Sequence, residues 1–335
     1  MVLDHSPSGR AGQRGAGCHE PGAATPGFVE ARQLLPLRKG FSSQHRASYW
    51  THWTLDARRR SRRRGLRTSE VDLIPYAQDQ APRAAATSPL MVTSVHKAFR
   101  VLSAFSRTEP RLTLKQIAHK LAIDKSTAQR FIHTLISLGY LSKDPVTKIL
   151  SVTVSAVSLA HVYLSTNPLI TAAMPSLVQL GRETGETVNL VVLDGSEAVF
   201  VSRILGKHLL STGVMIGTRI PAFASAAGLA MMAALPQPEV ERLLEETALG
   251  PFTSQTVHEP SQILERLSAC RAKGYAISVG DYIANDLSLG ACVSSQDGRL
   301  AGAISLSVSA DRFTPKEIEG RYARLVAAAA GSVVV

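Results

Sequence analysis

The chain has 335 residues, 45% of them hydrophobic and only 5% aromatic, which is enough for two ordinary domains with buried cores. No apolar run reaches the roughly 18 residues of a membrane span, and residues 1–12 hold no apolar signal segment, so we expect a cytoplasmic protein. Three widely spaced cysteines, Cys18, Cys270 and Cys292, exclude a disulfide framework and a zinc site.

The net charge of +11 is distributed unevenly along the chain. Residues 1–90 carry 14 Lys and Arg against 7 Asp and Glu, and residues 91–152 carry 10 against 3, so each segment has a net charge of +7. Residues 153–335 carry 13 against 16, a net charge of −3. A basic block before a mildly acidic domain predicts a polyanionic partner such as DNA.

Residues 1–90 are rich in Gly, Pro, Arg and Ser and show no helical or strand period. The arginine run at 58–64 would repel itself and stay solvated, which predicts a disordered basic extension. This extension could act as a non-specific nucleic-acid arm, or it could be upstream sequence outside the natural protein. We favour the second interpretation, because the composition changes abruptly at Met91, a plausible true start.

Residues 91–153 are predicted to form a winged helix-turn-helix. A first helix is indicated by apolar residues that recur at the spacing of one helical face, namely Val95, Ala98, Phe99, Leu102 and Phe105. Thr113 and Gln116 form a capping box that opens a second helix. A short turn at 122–124 leads to a third helix at 125–138, and two short strands at 140–143 and 148–152 form the wing.

The third helix and the wing carry residue types that suit DNA. A helix fits the major groove, where Arg pairs well with guanine and Gln with adenine, and its N-terminal amides attract phosphate. The same polar face could be merely solvated, but the pattern, the wing and the local charge together favour DNA contact. The predicted DNA-binding residues are Thr113, Lys125, Ser126, Thr127, Gln129, Arg130, His133, Lys143 and Lys148.

Beyond two further helices at 154–164 and 168–184, the hydrophobic period changes to that of strands. Strands are predicted at 187–193, 198–204, 209–216, 275–279, 289–294 and 300–308. Helices are predicted at 225–234, 238–246 and 261–273, with a last helix capped by Thr314. This mixture predicts an α+β domain built on an antiparallel sheet.

Eight short motifs follow one another between about residues 92 and 330. They are Ser94–Ala98, Leu112–Ala118, Lys125–Arg130, Gly139–Leu141, Gly217–Pro221, Ala226–Ala230, Gly274–Ala276 and Ala303–Ser307. Taken in this order, they resemble the IclR family of bacterial regulators. The resemblance implies a homodimer, possibly a tetramer, on a palindromic operator in promoter DNA.

The resemblance also implies a division of the chain. To the winged helix-turn-helix at 91–153 and the linker helix at 154–168, which the residue patterns predict, it adds that the effector-binding and oligomerisation domain at 169–335 is GAF-like. Family effectors are commonly small organic acids or aromatic catabolites. We therefore expect that a small-molecule effector, an organic acid, modulates operator binding.

The family's effector pocket can be carried over position by position. The positions that match are Ala226, Ala227, Ser278, Asp281, Ser288, Ser305 and Ser307. The amides of Ala226 and Ala227 open a helix, where unpaired N–H groups attract an anion. Two positions depart from the family's usual pattern: Ser278 stands at an acidic position, and Leu229 stands where Lys usually follows Gly228. The departures imply a ligand that differs in charge or shape from the best-known effectors of the family.

Two other functions remain open from the sequence. The C-terminal domain could be only a dimerisation module, or a cysteine could support a thiol-dependent enzyme. No G-x-S-x-G, P-loop, H-E-x-x-H or Cys-x-x-Cys motif is present. Cys270 and Cys292 fall on a predicted helix and a predicted strand, where core packing is favoured. We therefore expect a transcription regulator that is not an enzyme and that needs no cofactor, no metal and no membrane.

Overall fold

The computed structural model describes residues 90–208 and 213–335. The extension predicted for residues 1–90 lies outside these described residues, apart from Leu90.

The first compact region is a winged helix-turn-helix, as predicted. Its elements are helices α1 (Thr93–Ser103), α2 (Leu114–Lys120) and α3 (Lys125–Ser137) and strands β1 (Leu141–Lys143) and β2 (Leu150–Val152). Thr113 and Gln116 form the predicted capping box, and Ala122 adopts a φ of 51° in the tight turn between α2 and α3. Val101, Ile117 and Ile132 are buried in the small core that joins the three helices.

Two helices follow the wing. Helix α4 (Ser155–Thr166) contains no buried residue, and helix α5 (Pro168–Thr184) buries five. Asn167 separates the two helices, and its side chain caps α5 by accepting from the Leu169 amide at 3.0 Å. The linker helix expected at 154–168 therefore ends at Thr166, because Pro168 begins a new helix.

The rest of the described chain forms a six-stranded antiparallel sheet in the order β5-β4-β3-β8-β7-β6. The strands are β3 (Thr187–Asp194), β4 (Glu197–Ile204), β5 (Arg219–Pro221), β6 (Ala276–Val279), β7 (Asp286–Ser294) and β8 (Leu300–Ser309). The helices are α6 (Ala226–Ala233), α7 (Gln237–Glu246), α8 (Pro260–Lys273) and α9 (Pro315–Gly331). The predicted α+β class is confirmed.

The two faces of the sheet differ in chemistry because alternate residues of a strand point to opposite faces. On β8, Ile304 and Leu306 join α5 and α9 in the largest apolar core. Ala303 lies instead in the cluster that packs against α6. Ser305 alternates with Ile304 and Leu306, so it belongs to the α6 face. One face is therefore apolar and the other carries polar residues beneath a helix.

The strand predicted at 209–216 is wrong over the half that the structure describes. Of the strand expected at 209–216, residues 209–212 lie outside the described part of the chain, and residues 213–216 are irregular. Thr218 donates its amide to the carbonyl oxygen of Met215 at 3.0 Å, and Gly217 has a φ of 88°. This turn delays the strand, so that β5 begins at Arg219.

Among the described residues, no helix combines the length and the apolar character that crossing a bilayer requires. The same residues contain no group of three or more His, Cys, Asp or Glu side chains arranged to hold a metal ion.

Candidate functional site

The outer face of α3 carries most of the side chains predicted to contact DNA. Its inner face buries Ala128, Ile132 and Leu135 against the domain core. Thr127 is half-buried at the boundary between the two faces. The predicted residues that are exposed are Lys125, Ser126, Gln129, Arg130 and His133. The helix thus presents a continuous polar surface that is held rigidly by its apolar stripe.

Asp124 fixes the start of α3. One carboxylate oxygen accepts from the Ser126 hydroxyl at 2.6 Å and from the Thr127 amide at 2.8 Å. These bonds, that of Ser126 first, hold the pKa of Asp124 well below its usual range. Because the Ser126 hydroxyl donates to this cap, a phosphate at the helix start would be met mainly by Lys125 and the first amides.

The two wing lysines lie on exposed positions. Lys143 ends β1, and Lys148 lies in the wing turn with a φ of 60°. Asp144 closes this turn by accepting from the Val146 and Thr147 amides, and the hydrogen bonds from Thr147 lead the causes that lower its pKa. The wing is therefore a closed turn with two cations at its edge, which suits phosphate contact.

Thr113 has a structural task in addition to its predicted one. Its hydroxyl oxygen accepts from the Gln116 amide at 3.3 Å, and its own amide donates to the Gln116 side chain at 2.8 Å. The side chain is half-buried. Contact between Thr113 and DNA remains a prediction.

A cavity lies between the polar face of the sheet and the N-terminal end of α6. Its inner space measures about 40 Å³, and the whole space including the mouth that opens to solvent is about 550 Å³. Six of the seven residues predicted for effector binding line it: Ala226, Ala227, Ser278, Ser288, Ser305 and Ser307. The structure thus brings together residues that are spread over more than 80 positions of sequence.

The N-terminal end of α6 rests directly on the sheet. Ser225 caps the helix by accepting from the Gly228 amide at 3.0 Å, so the amides of Ala226 and Ala227 have no partner within the helix. Gly290 of β7 lies beneath them, and a Cβ at this position would come within 2.5 Å of the Ala226 carbonyl carbon. The absent side chain therefore allows the helix end to face the cavity.

Asp281, the seventh predicted residue, does not line the cavity. It is 2% exposed and forms a buried ion pair with Arg266, with guanidinium contacts at 3.0 and 2.8 Å. Its carboxylate also accepts from the Ser278 hydroxyl at 2.6 Å and from the Val257 amide at 3.1 Å. Asp281 therefore orients Ser278 from behind the cavity wall and offers no free oxygen to a ligand.

Two charged residues that the sequence analysis missed, Arg203 of β4 and Asp286 of β7, also line the cavity. Burial raises the pKa of Asp286 to about 7, although the Ser288 hydroxyl and the Arg203 charge act in the opposite direction. Burial likewise lowers the pKa of Arg203, although the Asp286 charge acts to raise it. The alternation of polar and apolar residues from Asp286 to Gly290 was a signal that could have extended β7 to include Asp286.

The remaining wall is apolar. It is formed by Phe200, Val214, Ile220, Tyr282 and Ile283, together with the serines and the helix end. A cavity with an apolar wall and a few convergent polar groups has the composition of a small-molecule site.

The cysteine chemistry considered from the sequence has no support in the geometry. Burial raises the pKa of Cys270 to about 11 and also raises that of Cys292. A reactive thiol needs the opposite shift, since the thiolate is the nucleophile. Cys270 packs in an apolar cluster with Phe223 and Leu267, and Cys292 is half-buried on β7.

Two family models cover most of the described chain. The model of the bacterial transcriptional regulator IclR C-terminal domain matches residues 161–335, and the model of the IclR helix-turn-helix domain matches residues 94–145. The Pca regulon regulatory protein of Pseudomonas putida is 28% identical over 242 residues, which are 72% of this chain and 82% of that protein. These matches are to transcriptional regulators and not to enzymes.

Two solved structures have the same fold. The IclR transcriptional regulator from Alicyclobacillus acidocaldarius superposes with a TM-score of 0.64 at 24% identity, covering 72% of this chain and 98% of that one. An IclR homolog from Microbacterium hydrocarbonoxydans, complexed with 4-hydroxybenzoate, superposes with a TM-score of 0.59 at 20% identity, covering 72% and 97%.

Proposed function

This chain belongs to the IclR family of bacterial transcriptional regulators, and on that premise we propose that a small organic acid, bound in the cavity beneath α6, controls its affinity for a palindromic operator. The observation that carries the proposal is the convergence of six predicted effector residues on one cavity. The proposal divides the chain into a DNA-reading domain at 91–153, a connecting segment at 154–168 and a sensing domain at 169–335.

In this proposal α3 enters the major groove. Gln129 and Arg130 read base edges, and His133 lies one turn further along the same exposed face. Lys125 at the helix start and Lys143 and Lys148 on the wing bind phosphates, which set the position of the domain on the duplex. The net charge of +7 on residues 91–152 supports this assignment.

A second copy of the chain forms a homodimer with the first, in which two-fold symmetry relates the two DNA-binding domains. Helices α1 and α4 expose large apolar side chains, whose contact with water is unfavourable in a monomer: Val95, Phe99 and Leu159 are 53%, 58% and 54% exposed. They line an open groove of about 640 Å³. Burial of these three side chains against their symmetry mates would fix the spacing of the two α3 helices and match a palindromic site.

A ligand changes DNA affinity only if it binds one dimer arrangement better than the other. Helix α4 connects the wing to the sensing domain; none of its residues is fully buried, and Leu164 near its end packs against the core of the sensing domain. We propose that the acid acts by biasing the tilt of α4 and with it the distance between the two recognition helices.

The test uses fluorescence anisotropy of the full chain on DNA from its own upstream region, with 4-hydroxybenzoate and acetate as probe acids. The wild type should change its operator affinity with one of the acids. The double variant Ser305→Ala with Ser307→Ala should bind operator normally but need at least tenfold more acid, because a hydrogen bond to a charged group contributes about 1.5–3 kcal/mol.

The same titration separates the competing function. If the C-terminal domain is only a dimerisation module, no acid that binds the cavity will alter operator affinity. An unchanged acid response in the serine variant would contradict the assignment of the cavity, whereas failure of the wild type to retard any upstream DNA would contradict DNA reading itself.

A further inference from the structure

The cavity has a second polar end, remote from the helix amides. Across the sheet, Gly290 pairs with Ser305, Ser305 with Asn189, and Asn189 with Arg203. Three strand spacings separate Arg203 from Gly290, roughly 14 Å between Cα atoms. Asp286 lies four residues from Gly290 on β7, which is again roughly 14 Å. Arg203 thus lies across the strands from Gly290 and Asp286 lies along β7 from it; both line the cavity away from the end of α6, and their charges act on one another.

Arg203 at this second end, and its strand neighbour Asn189, which does not itself line the cavity, each hold a buried polar atom without a partner. The Nε atom of Arg203 and the Oδ1 atom of Asn189 are both buried, and neither has a hydrogen-bond partner among the described residues. The Nδ2 atom of Asn189 donates to Ser305 at 3.3 Å, so the Asn189 side chain is held in place while its oxygen stays unpaired. The unpaired Nε donor of Arg203, in a cavity that is also lined by the Asp286 carboxylate, indicates a bound group that both accepts and donates.

We propose, building on the function proposed above, that the effector is a hydroxylated carboxylic acid. Its carboxylate faces the amides of Ala226 and Ala227, and its hydroxyl accepts from the Arg203 guanidinium while donating to a carboxylate oxygen of Asp286. The apolar wall between the two ends holds the body of the molecule, and Arg203 is the residue that selects for the hydroxyl.

The charges facing this end favour a hydroxyl over a second carboxylate. Arg203 is the cation that lines the cavity, and its charge acts on Asp286. Asp281, whose charge also reaches Asp286, is paired with Arg266. A second ligand carboxylate would therefore lie beside Asp286 and compete with it for one guanidinium, whereas a neutral hydroxyl uses donor and acceptor together.

Isothermal titration calorimetry of the full chain tests the proposal with two matched series. One series is benzoate, 4-hydroxybenzoate and terephthalate, and the other is hexanoate, 6-hydroxyhexanoate and adipate. In at least one series the hydroxy acid should bind tenfold or more tightly than both the unsubstituted acid and the dicarboxylic acid. Arg203→Met should reduce that preference to less than threefold and leave the affinity for the unsubstituted acid nearly unchanged.

Arg299→Met serves as the matched control, since the side chain of Arg299 is 86% exposed on the β7–β8 hairpin, and it should keep the wild-type preference. Operator affinity reports folding of each variant. Equal binding of all three acids, tighter binding of the dicarboxylic acid, or an unchanged preference in Arg203→Met would each overturn the ligand class while leaving the proposed function standing. If no acid binds while operator binding persists, the organic-acid sensor fails as well.

Discussion

The α3 surface and the α6 cavity place polar residues in opposite settings. On α3 the side chains that face outward are exposed, and each depends on the helix but hardly on its neighbours. In the cavity the polar groups come from β4, β6, β7, β8 and α6, and two of the serines are hydrogen-bonded to residues outside the wall, Ser305 to Asn189 and Ser278 to Asp281. A substitution on α3 should therefore change one interaction, whereas a substitution in the cavity should change the arrangement of its neighbours.

This difference predicts how the two regions respond to change. Interactions on an exposed face are expected to be nearly additive, since distant, independent sites add within about 0.3–0.5 kcal/mol. Residues that share one network couple by about 0.5–3 kcal/mol.

Gly290→Ala should have the largest effect. A Cβ at this position would come within 2.6 Å of the Ala227 amide nitrogen and would force the end of α6 away from the sheet. Insertion of a methyl group into a packed site typically costs about 1–3 kcal/mol, so thermal stability should fall measurably. Acid binding measured by calorimetry should drop by at least thirtyfold, because the amides no longer face the cavity.

Operator affinity without acid is the control for Gly290→Ala. It should stay within about threefold of the wild-type value, because α3 belongs to a separate core. A second control is Gly320→Ala on α9, where an added Cβ meets nothing within 4 Å. Retention of full acid affinity by Gly290→Ala would show that the α6 amides do not bind the carboxylate.

Arg130→Ala should have the second-largest effect, and it should change DNA binding but not acid binding. If Arg130 makes a bidentate contact with guanine, its removal costs about 1–3 kcal/mol of specific binding and relaxes base preference at one position. Anisotropy on the operator and on a scrambled duplex separates sequence-specific binding from binding to any DNA, since affinity for the scrambled duplex should change little. Equal weakening on both duplexes would reassign Arg130 to phosphate binding.

The sequence predicted α3 more completely than the cavity, for a physical reason. The recognition helix is a local structure, so its capping residue, apolar stripe and outer face all lie within 124–138. The cavity depends on strand register, which pairs Asn189 with Arg203 and Ser305. No local pattern shows that Arg203 points toward a cavity, and in the sequence it is one more charged residue near the end of a strand.

Asp281 and Asp286 show the same limit. Position counting assigned Asp281 to the effector, but the structure pairs it with Arg266 of α8, whose arrival at this site depends on the chain folding over β6. Asp286 lay outside the predicted strand, and only the full length of β7 places it on the cavity face. Family resemblance located the serines and the helix end, and the three-dimensional packing located the charges.

The raised pKa of Asp286 predicts a dependence of stability on pH that α3 does not share. Its ordinary pKa of 3.8 rises to about 7 in the fold, so folding takes up a proton in between. The stability that Asp286 contributes is present below about pH 4 and is lost as the pH rises through about 7. Asp286→Asn should therefore lose less thermal stability than the wild type between pH 5 and pH 8.5.

The expected difference in melting temperature between the two proteins over this range is about 2–8 °C, the shift produced by roughly 1–2 kcal/mol in a domain of this size. Asp124→Asn on α3 is the comparison, because its pKa is lowered and its charge does not change over this range. Parallel pH profiles of wild type and Asp286→Asn would show that Asp286 is ionised throughout and would remove its role as a tuned neighbour of Arg203.

The smallest effect is expected from the wing. Lys143 is an exposed residue at the end of β1, so Lys143→Ala should leave folding and acid binding unchanged. If Lys143 binds a phosphate, removing one such ion pair reduces the slope of log affinity against log salt by about 0.9, and a homodimer carries this lysine twice. Lys316→Ala, which removes the same charge from an exposed position on α9, should leave the slope unchanged. Anisotropy at four salt concentrations on operator and scrambled DNA measures both slopes.

Because phosphate binding carries no base preference, Lys143→Ala should lower the affinity for the two duplexes equally, in contrast to Arg130→Ala. A weakening confined to the operator would mean that the wing reads sequence, and α3 would then be only part of the recognition surface.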